Sequence, residues 1–131
     1  MQAKLLLATL VAAGFAAPAL AQGDVVAGEK VFNKCKACHM VGADAKNRVG
    51  PLLTGVIGRE IASVPDFKYS DAFMEKKAEG FIWTEENLAA YLAEPKDFIP
   101  GNKMTFVGLK KEEEIANVLA YIAADGEAGG S

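Results

Sequence analysis

Five residues, Cys35-Lys36-Ala37-Cys38-His39, hold both cysteines and the only histidine of this 131-residue chain. Two thiols three positions apart can add to the two vinyl groups of a haem as thioethers, while an imidazole directly after the second supplies an axial nitrogen to the iron. This is the Cys-x-x-Cys-His spacing of c-type haem attachment. Other chemistries use fewer of the residues. A structural disulfide at this spacing leaves His39 without a role. Structural zinc wants four ligands, so a carboxylate would have to complete an atypical set. A thioredoxin-like redox pair expects βαβ or helix-start surroundings, which the neighbouring residues do not offer.

An iron bound by His39 either takes a sixth ligand or keeps an open position, and that choice separates electron transfer from ligand chemistry. With no second histidine, methionine is the candidate, and the chain has four. Met1 lies in an export segment described below, and Met40 adjoins His39 on the same side of a haem. Met74 precedes the charged run Glu75-Lys76-Lys77 and reads as a packing residue. Met104 sits in Pro100-Gly101-Asn102-Lys103-Met104-Thr105-Phe106, 65 residues after His39, far enough to pass round a haem edge. Core packing is the competing role for Met104.

Residues 1–21 carry one positive charge at Lys4, an apolar stretch from Leu5 to Leu20, and the small-x-small run Ala19-Leu20-Ala21. They read as a cleaved signal peptide. A membrane anchor is the weaker reading, because the stretch is short for a bilayer and adjoins the folded part almost without a linker. Cleavage leaves 110 of 131 residues, enough for one domain. That domain is expected over 22–126, with a short Gly-rich flexible tail at 127–131.

The mature part carries 13 basic and 17 acidic residues, a net charge of −4, which disfavours a uniformly basic nucleic-acid binder. The charge is uneven. Residues 30–48 balance to +4 and residues 96–111 to +3, whereas residues 112–131 carry five acids and no base. The two basic segments flank the attachment motif and the Met104 loop. Either they are an ordinary solvated surface or they form a positive docking face.

Helices are needed to position these groups, and the apolar spacing supplies them. Gly28, Val31, Phe32 and Cys35 recur at i, i+3, i+4 and i+7, which predicts a helix from about Asp24 into the motif. Ile115, Val118, Leu119 and Ile122 predict another over 110–125, with an acidic first turn and Gly126 as its stop. These two are expected to cross. Thr84 opens a third helix that ends before Pro95, and a short fourth runs from Ser70 to about Glu79. Residues 40–69 form a long loop with turn residues and no strand; a large central cofactor for it to wrap would explain its length.

Taken together, Gly28, Phe32, Cys35-x-x-Cys38-His39, Val49-Gly50-Pro51-Leu52, Gly58-Arg59, Phe67-x-Tyr69-Ser70-Asp71-Ala72, Trp83 through Leu88, Tyr91-Leu92-x-x-Pro95-Lys96 and Ile99-Pro100-Gly101-x-Lys103-Met104-x-Phe106 resemble the class I c-type cytochromes, most of all the bacterial cytochrome c2 branch near mitochondrial cytochrome c. The resemblance covers Gly23 to about Asp125. It implies an all-α fold with crossing terminal helices, two or three shorter helices, and long loops around one covalent haem c. It implies Met104 as the sixth ligand and the Pro51 carbonyl as the acceptor of a hydrogen bond from His39. It assigns Arg59, Tyr69 and Trp83 to a haem propionate and Tyr91 to the methionine sulfur, although Trp83 and Tyr91 also read as core aromatics with a satisfied polar end.

The function this implies is a monomeric periplasmic one-electron carrier and not an enzyme, taking electrons from a cytochrome bc complex and passing them to a terminal oxidase or a photosynthetic reaction centre. Lys34, Lys36, Lys96, Lys103, Lys110 and Lys111 are the expected docking residues. A haem enzyme with an open sixth site and a dedicated subunit of a larger dehydrogenase or sulfur-oxidising complex are the alternatives. Two departures from the mitochondrial pattern, Asn102 for Thr and Phe73 for Asn, bear on the buried polar network beside the haem.

Overall fold

A computed structural model of the chain describes residue 14 and residues 23–127. The expected signal peptide, apart from Gly14, and nearly all of the expected tail lie outside them. Five helices follow in order: α1 (Val25–Phe32), α2 (Asp71–Ala78), α3 (Glu85–Ala93), α4 (Pro95–Phe98) and α5 (Glu112–Ala123). The only sheet pairing among the described residues is one antiparallel bridge between Glu60 and Ile82.

Capping chemistry sets the helix starts. Asp24, Ser70 and Thr84 have extended backbones and accept hydrogen bonds from the amides of Ala27, Phe73 and Asn87, so α1, α2 and α3 each begin on a short polar side chain. The first helix stops at Phe32 and continues as a tight turn. In that turn the amides of Cys38 and His39 both donate to the Cys35 carbonyl, at 3.1 and 2.9 Å. Both motif thiols and the imidazole are thereby gathered on one turn.

The two terminal helices cross, as expected, with Gly28 of α1 directly against the Asn117 backbone of α5. Asp24 reinforces the crossing by donating its amide to Asn117 Oδ1 at 2.8 Å. Around it the core gathers Phe32, Leu88, Tyr91, Ile115, Val118, Leu119, Tyr121 and Ile122, with Phe32 and Tyr121 ring centroids 5.2 Å apart.

One local expectation changes. Met74 is 48% exposed and is no packing residue, because α2 lies at the surface and turns Ala72 and Phe73, not Met74, onto the core. The third helix ends before Pro95, as expected, and the chain turns helical again at once. Proline's fixed φ and missing N–H suit a first helical position, and α4 starts there. This single turn carries the chain into the Met104 loop.

The candidate haem site

The His39 side of the site is built from backbone. The amide of Gly50 donates to the Cys38 carbonyl at 2.8 Å, and that of Leu53 to the Met40 carbonyl at 2.9 Å, so the chain on both sides of His39 is bonded to the 50–53 turn. His39 Nδ1 lies 2.7 Å from the Pro51 carbonyl oxygen. A carbonyl only accepts, so the proton resides on Nδ1 and the Nε2 lone pair is left for a metal. Burial lowers the His39 pKa, against the opposing pull of the Pro51 bond and with help from Arg59, which favours this neutral form. Gly50 lies flat on the ring, where any Cβ would overlap the imidazole.

Two side chains stabilise the turn that sequence reading overlooked. Asn47 accepts from the Leu52 amide at 3.0 Å and donates to the Pro65 carbonyl at 2.9 Å. The Thr54 hydroxyl bonds both to the amide and to the carbonyl of Gly42, at 2.9 and 2.7 Å. Polar residues in a Gly- and Pro-rich loop were the available signal. Cys35 and Cys38 are both free and partly buried. Burial pushes the Cys35 thiol up to about 11, with Lys34 acting against that and Cys38 adding to it.

The Met104 side is built from side chains. Each polar atom of Met104 has its own partner: its amide donates to Asn102 Oδ1 at 2.9 Å, its carbonyl accepts from Lys96 Nζ at 3.3 Å, and its sulfur receives the Tyr91 hydroxyl at 3.9 Å. Burial raises the Tyr91 pKa, so its phenol keeps its proton for that contact.

Beside Met104 stands an aromatic wall that includes its partner Tyr91. Trp83 packs on Tyr91 and Phe81 with centroids 5.1 and 5.0 Å apart, and Phe73 joins Tyr69, Trp83 and Tyr91 at 5.9 to 6.0 Å. Phe73 therefore makes apolar a place where the mitochondrial pattern has a polar side chain. Arg59 donates to the carbonyls of Leu52 and Thr54, each at 3.2 Å, while its Nε is buried without a partner among the described residues. The Tyr69 hydroxyl accepts from the Val64 amide at 3.2 Å.

The six expected docking lysines are all exposed but differ in their surroundings. Lys110 bonds to Glu94 at 2.8 Å and to the Ala93 carbonyl at the end of α3, and Lys34 lies 3.7 Å from Glu114. Lys36, Lys103 and Lys111 make no ion pair among the described residues.

Comparison with known proteins gives the same outline. The family model for cytochrome c matches residues 25–124. A cytochrome c2 of Agrobacterium tumefaciens (strain II Chrys) is 48% identical over 77% of this chain and 91% of its own length. A cytochrome c2 of Blastochloris viridis is 45% identical over 91% of both chains. The solved cytochrome c2 of Rhodospirillum centenum superposes with a TM-score of 0.75 at 41% identity, covering 80% of this chain and all of that one. With a crossing of terminal helices, an attachment motif and a fold shared across nearly the whole described chain, this protein belongs to the cytochrome c family, whose members are electron-transfer proteins and not enzymes and carry one covalently bound haem c.

Proposed function

We propose that this chain is a periplasmic one-electron carrier in which Cys35 and Cys38 hold haem c as thioethers and His39 and Met104 are its axial ligands. Electrons would arrive from a cytochrome bc complex and leave to a terminal oxidase or a photosynthetic reaction centre. Residues 1–21 would direct export and be removed before Gln22.

The residues suit the group. Two free thiols and an imidazole with Nε2 available lie on one turn, and the buried Arg59 Nε is a donor matched to a carboxylate such as a haem propionate. When bound, haem c supplies an iron couple that takes up and releases one electron. The observation that carries the reading is the 2.7 Å contact of His39 Nδ1 with Pro51, because it fixes the tautomer and the orientation that a proximal ligand needs.

The protein's part is to keep its groups still. His39 is held by its turn, and Met104 by partners at its amide, carbonyl and sulfur, so neither ligand need move between oxidation states. A soft thioether favours the ferrous state and a positive potential, and the surrounding Trp83, Tyr91 and Phe73 rings limit water. Exposed lysines on the basic segments would steer the carrier to acidic partners in small, transient encounters.

The test is Met104→Ala in the exported holoprotein. Covalent haem should be retained and the reduced variant should bind carbon monoxide, while the wild type does not. A variant that binds it no better than wild type would overturn the methionine assignment.

A further inference from the structure

We infer that Asn102 is a positioning residue that holds Met104 on the iron by tying the methionine backbone to α4. This rests on the reading of Met104 as the sixth ligand. Asn102 is only 7% exposed, yet its side chain makes three hydrogen bonds. Its Nδ2 donates to the carbonyls of Pro95 and Ile99, both at 2.8 Å, and its Oδ1 accepts from the Met104 amide at 2.9 Å. The orientation of the amide is not arbitrary, since two carbonyls on one end require donors and an N–H on the other requires an acceptor.

The local chain explains how the residue reaches all three. The Asn102 amide donates to the Ile99 carbonyl at 3.3 Å across Pro100-Gly101, and Gly101 has φ of +85°, which is a type II turn. The turn folds Asn102 back under α4, where the carbonyls of its first residue and of the residue after its last converge. From there an Asx-type bond runs forward two residues to Met104. Without Asn102 the two carbonyls and the Met104 amide would lose their side-chain partner at a buried place.

No other side chain of this size can replace the set. Leucine has no polar atom. Threonine can keep the acceptor for the Met104 amide, because a hydroxyl two residues back makes the same kind of turn, but it brings at most one donor to two carbonyls. The three residues therefore define a graded series.

The experiment titrates the ferric holoprotein with imidazole, whose apparent affinity reports how readily Met104 leaves the iron, and records the near-infrared methionine-to-iron charge-transfer band. Four variants are compared with wild type: Met104→Ala, Asn102→Leu, Asn102→Thr and Thr84→Ala. Asn102→Leu should bind imidazole about tenfold more tightly, the scale of one buried hydrogen bond lost, with a weakened band. Asn102→Thr should fall between it and wild type. Thr84→Ala removes the distant cap of α3, so it should lower stability without moving the affinity.

Wild-type affinity in Asn102→Leu, alongside strong tightening in Met104→Ala, overturns the inference while leaving the ligand assignment intact. Unchanged affinity in Met104→Ala overturns the ligand assignment itself. If Asn102→Leu does not accumulate as holoprotein, Asn102→Thr decides: a shift towards tighter imidazole supports the inference, and wild-type behaviour overturns it. An equal shift in Thr84→Ala also overturns it, since the effect would then be general loosening.

Discussion

The His39 and Met104 sides of this molecule solve one problem, the fixing of a single side chain, with different materials. His39 is held by main chain: amide-to-carbonyl bonds from Gly50 to Cys38 and from Leu53 to Met40 bracket it, and the Pro51 carbonyl accepts a hydrogen bond from its Nδ1–H. Met104 is held by side chains, those of Asn102, Lys96 and Tyr91. Backbone contacts are indifferent to most substitutions and fail only when volume is added. Side-chain contacts tolerate volume better and fail when chemistry changes. Variation in the properties of the carrier should therefore be concentrated on the methionine side.

The strongest way to break the comparison is Gly50→Ala. The added methyl would occupy the His39 ring, and the neighbours that would have to yield are bonded turns on both sides. Gly50 does not have a left-handed φ, so the cost is steric alone. We expect a loss of about 3 kcal/mol from overpacking a confined site, or failure to accumulate holoprotein, read from the urea midpoint. A midpoint within experimental error of wild type would mean that the proximal turn is softer than its bonding indicates.

Gly101→Ala is the matching change on the other side and should cost less, for a different reason. Its Cβ would meet only the Cβ of Ala72 at 3.4 Å, but the φ of +85° is one that alanine seldom adopts. The expected loss is about 1–2 kcal/mol of backbone strain, together with a weaker charge-transfer band, because the strained turn also carries Asn102. A larger loss than that of Gly50→Ala would reverse the ranking of the two sides.

The two sides also differ in how much of them could be read from sequence. His39 and its Pro51 partner are 12 residues apart within a turn-rich stretch; the motif identifies His39, and the family resemblance carried by Gly50-Pro51 supplies its partner. Asn102 stood out only as a departure from a pattern. Its role depends on α4, a one-turn helix begun by the same proline that marked the end of α3, and four residues carry too little periodicity to announce it. α1 and α3 were legible because a polar cap and an apolar stripe coincide in them, and α5 because its stripe and acidic first turn do, although its N-cap residue Lys111 makes no side-chain cap bond. Pairing of charges across the fold was not, since Lys110 and Glu94 meet only because the chain after Met104 returns to the end of α3, where the Leu109 amide bonds to the Leu92 carbonyl at 2.7 Å.

Lys96 tests where the two materials meet, because it belongs to the Met104 support and to the basic surface at once. Its ammonium donates to the Met104 carbonyl at 3.3 Å, but the lysine is exposed, and a contact of that kind contributes at most a few tenths of a kcal/mol to stability. Lys96→Gln removes the charge and keeps a donor. If Lys96 acts through steering, the variant should retain the wild-type charge-transfer band and imidazole affinity and transfer electrons to an acidic partner more slowly, with a difference that fades as salt rises past the physiological range. Lys103→Gln provides the reference, since Lys103 makes no ion pair among the described residues and touches no atom of Met104 through a hydrogen bond. Equal, salt-sensitive slowing in the two variants would make Lys96 a surface charge like its neighbour. A loss in Lys96→Gln that persists at high salt, with a shifted band, would instead make it a third structural support of the methionine and extend the side-chain-built region to the molecular surface.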